Sequence, residues 1–234
     1  MPGFYPAGSR PPAFLGLYAG RLPSVELNNT FYQQPSEAKV DAWLAATPPG
    51  FRFAVKAQRG ATLRALRLGP EPGMPWLTEP YRRFGSRLGA VLFRVPEGVQ
   101  RDDDRLRAIL DAWPRDLPLV LEFQHESWAS DATVAALRST GASLCITELP
   151  EDAEPPMMRR TAPFLYLRLR RHGYSEDELR AWADRLEPFL AAGDDAFVFF
   201  RHDDEGHGPR FALRLAAFLE PYRPTPEAPG AQPA

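Results

Sequence analysis

Cysteine and lysine are almost missing from this chain of 234 residues. Cys145 is the single cysteine, so an internal disulfide is excluded, and its neighbours in Ser143–Ile146 predict a small core residue rather than a nucleophile. Lysine occurs only at positions 39 and 56, while the other 26 basic residues are arginine. Because an ammonium group can lose its proton and a guanidinium group does not, Lys56 at a predicted strand end is a candidate functional residue.

The chain also lacks a strong excess of charge, a signal peptide and a long apolar run. Its net charge of -2 and pI of about 6.1 disfavour a general nucleic-acid binder, although they leave room for a local basic cleft. No apolar run approaches the roughly 20 residues that span a bilayer. We therefore expect a cytoplasmic protein with no membrane partner.

Short apolar segments alternate with helical segments along most of the sequence, which is typical of a parallel α/β sheet. The predicted strands are Ser24–Leu27, Phe51–Lys56, Ala90–Arg94, Leu119–Phe123, Ser143–Thr147, Phe164–Arg168 and Ala196–Phe200. A closed (β/α)8 barrel needs eight strands. We predict a TIM-barrel-like domain over residues 1–223 with its first strand missing, followed by a disordered Pro/Ala-rich tail over residues 224–234.

The missing strand predicts an opening between the strand Ser24–Leu27 and the strand Ala196–Phe200. Two strands without a neighbour would leave backbone groups unpaired along that opening. A start that is internal to a longer protein would be the simplest explanation, and a barrel that works with seven strands is the alternative.

The segment Val25–Tyr32 carries the clearest polar signal, because apolar and polar residues alternate in it and polar residues then follow one another. Successive side chains of a strand point to opposite faces, and barrel sites are built at the carboxyl ends of the strands. The same parity on the other strands predicts a shared mouth. The residues predicted to face it are Glu26, Asn28, Lys56, Arg94, Glu122, Gln124, Arg168 and Arg201.

A mouth with more cations than acids suits an anionic ligand such as a phosphate ester or a carboxylate. As catalytic candidates we take Glu26 or Glu122 for general acid–base chemistry and Lys56 as an electrophilic or proton-transfer group. Phe31, Tyr32 and Trp128 could form a stacking wall, or they could pack as a lid. The predicted ligand-binding residues are Asn28, Thr30, Tyr32, Arg94, Gln124, His125, Trp128, Arg168 and Arg201.

Histidines after the strands raise the question of a metal site. His125, His172, His202 and His207 could join Glu26, Glu122 and Asp203 in a mixed nitrogen and oxygen site. None of them shows a tight ligand spacing. The sequence therefore predicts no metal site and identifies no cofactor.

The chain resembles the YecE-like family, also known as domain of unknown function 72, from residue 4 to about residue 220. The motifs that carry the resemblance are Phe4–Pro6, Val25–Tyr32 with Pro35, Phe53–Ala57, Leu88–Phe93 with Pro96, Glu122–Phe123 with His125 and Ser127–Trp128, and Tyr166–Leu169. The resemblance implies a TIM-barrel-like fold and implies no established reaction. Arg94 and Gln124 depart from the pattern, since family members often have glutamine and arginine at these two positions.

Three functions compete at this stage, and whether the protein is an enzyme is left open. The first is binding of, or action on, a phosphorylated or other anionic small molecule. The second is a metal-dependent, endonuclease-like barrel, which rests on fold analogy and is disfavoured by the acidic total charge. The third is a ligand-binding protein without catalysis. Composition does not indicate the oligomeric state.

Overall fold

The computed structural model describes residues 4–71, 73–201 and 206–222. Within these ranges the chain forms seven strands and eight α-helices, which alternate along most of the sequence. The strands are β1 (Ser24–Leu27), β2 (Arg52–Lys56), β3 (Leu88–Val95), β4 (Leu119–Phe123), β5 (Ser143–Glu148), β6 (Phe164–Leu169) and β7 (Asp195–Phe200). The helices are α1 (Pro11–Ala19), α2 (Glu37–Ala45), α3 (Arg59–Leu68), α4 (Gly73–Arg82), α5 (Asp103–Ala112), α6 (Asp131–Thr140), α7 (Glu176–Ala191) and α8 (His207–Phe218).

The strands form one parallel sheet in which each strand pairs with the next one along the chain. The end strands β1 and β7 approach each other, with Cα atoms within 8 Å, but no ladder joins them in the described part of the chain. The predicted TIM-barrel-like fold with seven strands is confirmed, and the barrel is nearly closed. None of the described helices has the length and apolar character that a bilayer crossing requires.

Alternation along the strands separates the barrel interior from the layer under the helices. The interior is packed by a small cluster of mostly apolar side chains, and a second, larger set of outward side chains packs against the helices. This is the arrangement expected when successive side chains point to opposite faces of each strand. The buried interior cluster consists of Ala54, Ala90, Leu92, Val120, Cys145 and Tyr166.

Local signals in the sequence position several helices. A capping box precedes α7: the Ser175 hydroxyl accepts from the backbone N–H of Glu178, whose carboxylate accepts from the N–H of Ser175. Asp102 caps α5 in a similar way by accepting from the N–H of Arg105. These caps fix where each helix begins and therefore how its apolar face meets the sheet.

In the segment between β2 and β3, the apolar periodicity of the sequence predicts a single helix over about Trp76–Leu88. The structure has two helices there, α3 and α4, and α4 already ends at Arg82. Gly85 adopts a positive φ of 55° after the helix, and Leu88 begins β3. The chain therefore leaves the helix earlier than its apolar periodicity suggested. The predicted tail over residues 224–234 lies outside the described residues.

Gly89 lies where the register between β2 and β3 shifts, at the amino-terminal end of the barrel. A Cβ atom on Gly89 would lie 2.6 Å from Cζ and 2.7 Å from Cε1 of the Phe197 ring. We expect Gly89→Ala to lower the free energy of unfolding by about 1–3 kcal/mol, because the ring must move within a packed interior. Urea denaturation measures this change. Gly98→Ala is the matched control, since a Cβ atom there meets nothing within 4 Å, and equal stability of the two variants would contradict the prediction.

Candidate functional site

A cavity of about 1350 Å³ opens at the carboxyl ends of the strands and continues into the opening between β1 and β7. The side chains that strand parity placed at the mouth all line it. Along the opening its walls are apolar and come from β1, β7 and α8, for example Val25, Val198 and Leu215. The eight predicted mouth residues that line the cavity are Glu26, Asn28, Lys56, Arg94, Glu122, Gln124, Arg168 and Arg201.

At the inner end of the polar part, Arg168 bridges two carboxylates from distant strands. Its Nη2 lies 3.0 Å from Oε1 of Glu26, and its Nη1 lies 2.6 Å from Oε1 of Glu122. The Tyr166 hydroxyl donates to the other oxygen of Glu26 at 2.6 Å. The side chains of Arg168, Glu26 and Glu122 are only 8%, 6% and 5% exposed. These four residues therefore form a connected, nearly dry polar network.

The electrostatics of this network keep Arg168 charged and Tyr166 neutral. Burial alone would lower the pKa of Arg168, but the carboxylates of Glu26 and Glu122 raise it above its ordinary value. Burial and the Glu26 carboxylate raise the pKa of Tyr166 well above its ordinary value. Tyr166 therefore acts as a hydrogen-bond donor to Glu26 and not as an anion.

One pair of polar atoms in the wall is left without hydrogen bonds. Nε of Arg94 and Oε2 of Glu122 are both buried, lie 3.4 Å apart, and have no hydrogen-bond partner among the described residues. Arg94 and Glu122 are register partners on β3 and β4, so the sheet itself sets their separation. The two groups therefore form an ion pair inside the wall rather than a hydrogen bond.

Lys56 also lines the cavity, and it forms no ion pair with a carboxylate of the described residues. Lys56, the last residue of β2, is 7% exposed, and its Nζ lies 4.3 Å from the centre of the Phe31 ring. Burial lowers the pKa of Lys56, and the neighbouring guanidinium group of Arg168 lowers it further, while Glu122 acts in the opposite direction. Among the cations of this site, Lys56 is therefore the one whose side chain can lose its proton, since the others are arginines.

Arg170 belongs to the site, although the sequence reasoning did not select it. It is half-buried in the cavity wall, and no side chain or carbonyl group of the described residues accepts a hydrogen bond from its guanidinium group. Burial, and then the charge of Arg168, lower the pKa of Arg170. The signal that could have found it was parity, since Arg170 continues the inward positions Tyr166 and Arg168 one step beyond β6.

Three predicted ligand-binding residues do not line the cavity. The Thr30 hydroxyl is buried and donates to the carbonyl groups of Leu27 and Lys56 at 2.8 and 2.7 Å, so it ties β1 to β2. The backbone N–H of Ser127 donates to Nδ1 of His125, which caps a short 3₁₀ turn. These residues support the loops around the mouth.

Trp128 is the third of these residues, and it is also buried. Its ring stacks on Phe123 at a centroid distance of 4.5 Å, and its Nε1 donates to the carbonyl group of Val99 at 2.9 Å. The expected stacking wall is therefore absent at this position, whereas Tyr32 lines the cavity and is 75% exposed.

The described residues contain no group of three or more His, Cys, Asp or Glu side chains arranged to hold a metal ion. Of the histidines considered from the sequence, His172 has its ring beside the guanidinium group of Arg201, at 3.2 Å from Nη1 to Nε2. His202 and Asp203 lie outside the described residues. The polar side chains that line the cavity are hydrogen-bond donors and acceptors.

The sequence matches a family model and a curated bacterial protein. The model of the family described as "Protein of unknown function DUF72" matches residues 1–233. The UPF0759 protein YunF of Bacillus subtilis (strain 168) is 23% identical over an alignment of 256 positions. This alignment covers 92% of this chain and 90% of that protein.

Two solved structures of DUF72 family proteins share the fold. The protein from Thermotoga maritima MSB8 superposes with a TM-score of 0.79 at 26% identity and covers 92% of each chain. The protein from Enterococcus faecalis V583 superposes with a TM-score of 0.76 at 20% identity, over 89% of this chain and 94% of that chain. The family model spans nearly the whole sequence, and this chain belongs to the DUF72 family.

Proposed function

We propose that the barrel mouth binds a small anionic molecule, such as a phosphate ester or a carboxylate, and acts on it. Four cations surround two acids at the inner end of the cavity, so the inner cluster carries an excess of positive charge. The acids Glu97 and Glu151 also line the cavity, but both are exposed at its rim, where water screens them. The cations are Lys56, Arg94, Arg168 and Arg170.

The main support for the proposal is that the half-buried guanidinium group of Arg170 has no hydrogen-bond acceptor among the described side chains. Arg168 already donates to both carboxylates, whereas Arg170 is half-buried beside it and donates to no side chain of the described residues. Burying part of an unpaired cation costs free energy unless a counter-charge joins it. Arg170 and the partly exposed guanidinium group of Arg94 can supply charge-assisted hydrogen bonds to the oxygens of a bound anion.

The geometry also supports a division of roles between the two acids proposed for proton transfer. Both oxygens of Glu26 accept hydrogen bonds, from Arg168 and from Tyr166. Oε2 of Glu122 accepts none from the described residues. We therefore assign proton transfer to Glu122 and a positioning role on Arg168 to Glu26.

Replacing Arg170 with methionine is expected to weaken the binding of ribose 5-phosphate by about ten- to a hundredfold, since hydrogen bonds to charged groups contribute about 1.5–3 kcal/mol. Isothermal titration calorimetry measures the affinity. Ribose, which lacks the phosphate group, is expected to bind far more weakly to the wild-type protein. A preceding thermal-shift screen of phosphorylated metabolites would show which anion gives the strongest signal.

Arg171→Met is the matched control for this experiment. Arg171 is the next residue, but its guanidinium group donates to Glu178 at 2.7 Å, and it does not line the cavity. Its replacement is expected to leave the affinity for ribose 5-phosphate unchanged. The proposal fails if neither phosphorylated nor carboxylated compounds bind, or if the Arg170 and Arg171 variants bind the anion equally well.

A further inference from the structure

Lys56 occupies a position that suits covalent chemistry better than simple charge neutralisation. It ends β2, its own carbonyl group accepts from the Thr30 hydroxyl at 2.7 Å, and the N–H of Ala57 donates to Leu92 on β3 at 2.9 Å. The backbone on both sides of the residue is thus held by neighbouring segments. The side chain lines the cavity with its amine against the Phe31 ring.

The surroundings of the amine make its neutral, nucleophilic form easier to reach than it is for an exposed lysine. The charged groups that act on it come from four other strands: Glu26 on β1, Arg94 on β3, Glu122 on β4 and Arg168 on β6. Lys56 makes no ion pair with any described residue, although Glu26 and Glu122 both pair with Arg168 nearby. Burial and two guanidinium groups therefore outweigh the two carboxylates, and the pKa of the amine lies below its ordinary value. Desolvation beside other cations is a known way to activate a lysine nucleophile.

The choice of residue also separates Lys56 from the other cations of the mouth. Arginine stays protonated in proteins, so the arginines of the cavity can hold an anion but cannot attack a carbonyl carbon. Lys56 is one of two lysines in the chain, and the other, Lys39, is exposed on α2. The site thus combines arginines that can bind an anion with one amine that can react.

We propose that Lys56 forms a Schiff base with the carbonyl group of an aldehyde or ketone that also carries a phosphate or carboxylate group. The anionic end of this substrate is held by Arg94 and Arg170, so the inference rests on the anion site proposed above. It adds the substrate class, an anionic carbonyl compound, and the reactive group.

The step is a reversible condensation that needs no oxidant or reductant. The lone pair of the neutral Nζ attacks the carbonyl carbon and forms a C–N bond, while the carbonyl π electrons move to the oxygen. A proton moves from nitrogen to that oxygen, with the Glu122 carboxylate as the acceptor and donor, and gives a carbinolamine. The hydroxyl group then takes up a proton from water, equivalent to the one that the Lys56 ammonium group released when it became neutral. It leaves as water, and the nitrogen lone pair forms the protonated imine.

Reductive trapping tests the inference. The wild-type protein is incubated at neutral pH with glycolaldehyde phosphate and sodium cyanoborohydride, which delivers hydride to the imine carbon and leaves a stable secondary amine. Peptide mass spectrometry then measures labelling at Lys56 and Lys39. We expect Lys56 to be labelled at least about tenfold faster than Lys39, because a site that holds the anion beside the amine raises the local concentration of the carbonyl group.

Two variants and a second probe serve as controls. Lys39→Arg is expected to trap the same adduct as the wild-type protein, and Lys56→Arg, which keeps the charge but lacks the amine, is expected to trap none at this position. Glycolaldehyde, which lacks the phosphate group, is expected to label Lys56 at least about tenfold more slowly than its phosphate ester does. The wild-type comparison of Lys56 with Lys39 remains decisive if Lys56→Arg does not fold.

Binding of inorganic phosphate to the wild-type protein, measured by calorimetry, separates the two proposals. If phosphate binds but Lys56 stays unlabelled, or if Lys39 is labelled as fast, the Schiff base is overturned and the anion site stands. If phosphate does not bind and glycolaldehyde labels Lys56 as fast as its phosphate ester does, the anion site is overturned, and the anionic substrate class with it.

Discussion

Replacing Arg168 with methionine is expected to lower the free energy of unfolding by about 3–5 kcal/mol at neutral pH, because it leaves buried carboxylates without their cation. One oxygen of Glu26 and one of Glu122 each accept a hydrogen bond from this guanidinium group, and both side chains are almost inaccessible to water. Methionine fills a similar volume but carries no charge. Denaturation with guanidinium chloride, followed by circular dichroism, measures the loss.

The matched control is Arg107→Met. Arg107 also forms an ion pair, with Asp104 at 2.8 Å, but it is exposed on α5, and an exposed pair of this kind contributes about 0–1 kcal/mol. A loss at Arg168 no larger than the loss at Arg107 would show that the buried network does not stabilise the fold.

A triple variant tests whether unpaired charge is the cause of the loss. Combining Arg168→Met with Glu26→Gln and Glu122→Gln removes both orphaned charges, so this variant should be more stable than Arg168→Met alone. A triple variant less stable than the single one would contradict the explanation.

The barrel and its polar mouth could be predicted from the sequence because both depend on a period of two. Apolar and polar residues alternate along each strand, and parallel strands bring their carboxyl ends together. This logic predicted that Glu26, Lys56 and Glu122 would face one cavity, and the structure places all three there. Their chemical roles remain predictions.

The pairing inside the mouth could not be predicted in the same way. The alternation of side chains along a strand predicts that Arg168 and Glu26 point inward. They are, however, 142 positions apart in sequence and lie on strands that are not neighbours in the sheet. Their distance depends on how the barrel curves and closes. Arg170 was missed because it lies two residues beyond Arg168, where the predicted strand ends, and parity was extended by no more than one residue past any strand.

Loop residues were the least predictable part of the site, because no period fixes where their side chains point. Thr30 and Trp128 follow strand ends, as ligand-binding residues often do. In the structure, their polar groups donate to backbone carbonyls instead. A tryptophan after a strand can fold over the mouth or underneath the loop, and only packing with its neighbours decides between them.

Replacing Trp128 with alanine is therefore expected to affect stability and not the anion affinity. The side chain is 4% exposed, stacks on Phe123 and anchors the loop through Val99, so truncation should lower the free energy of unfolding by about 3–5 kcal/mol. Guanidinium chloride denaturation measures this loss. Trp76→Ala is the matched control, because Trp76 is 59% exposed, and we expect its replacement to change stability by less than about 1 kcal/mol.

Calorimetry with ribose 5-phosphate, at a temperature where the Trp128→Ala variant remains folded, completes the test. Trp128 does not line the cavity, whereas Arg170 does, so the two variants should behave in opposite ways. Trp128→Ala should lose stability and retain affinity within about threefold, since the residue makes no contact in the cavity. Arg170→Met should lose affinity, with little change in stability, because its guanidinium group bonds to no described side chain. If Trp128→Ala lost affinity as strongly as Arg170→Met, the tryptophan would have to contact the ligand, and the ligand would have to extend beyond the cavity described above.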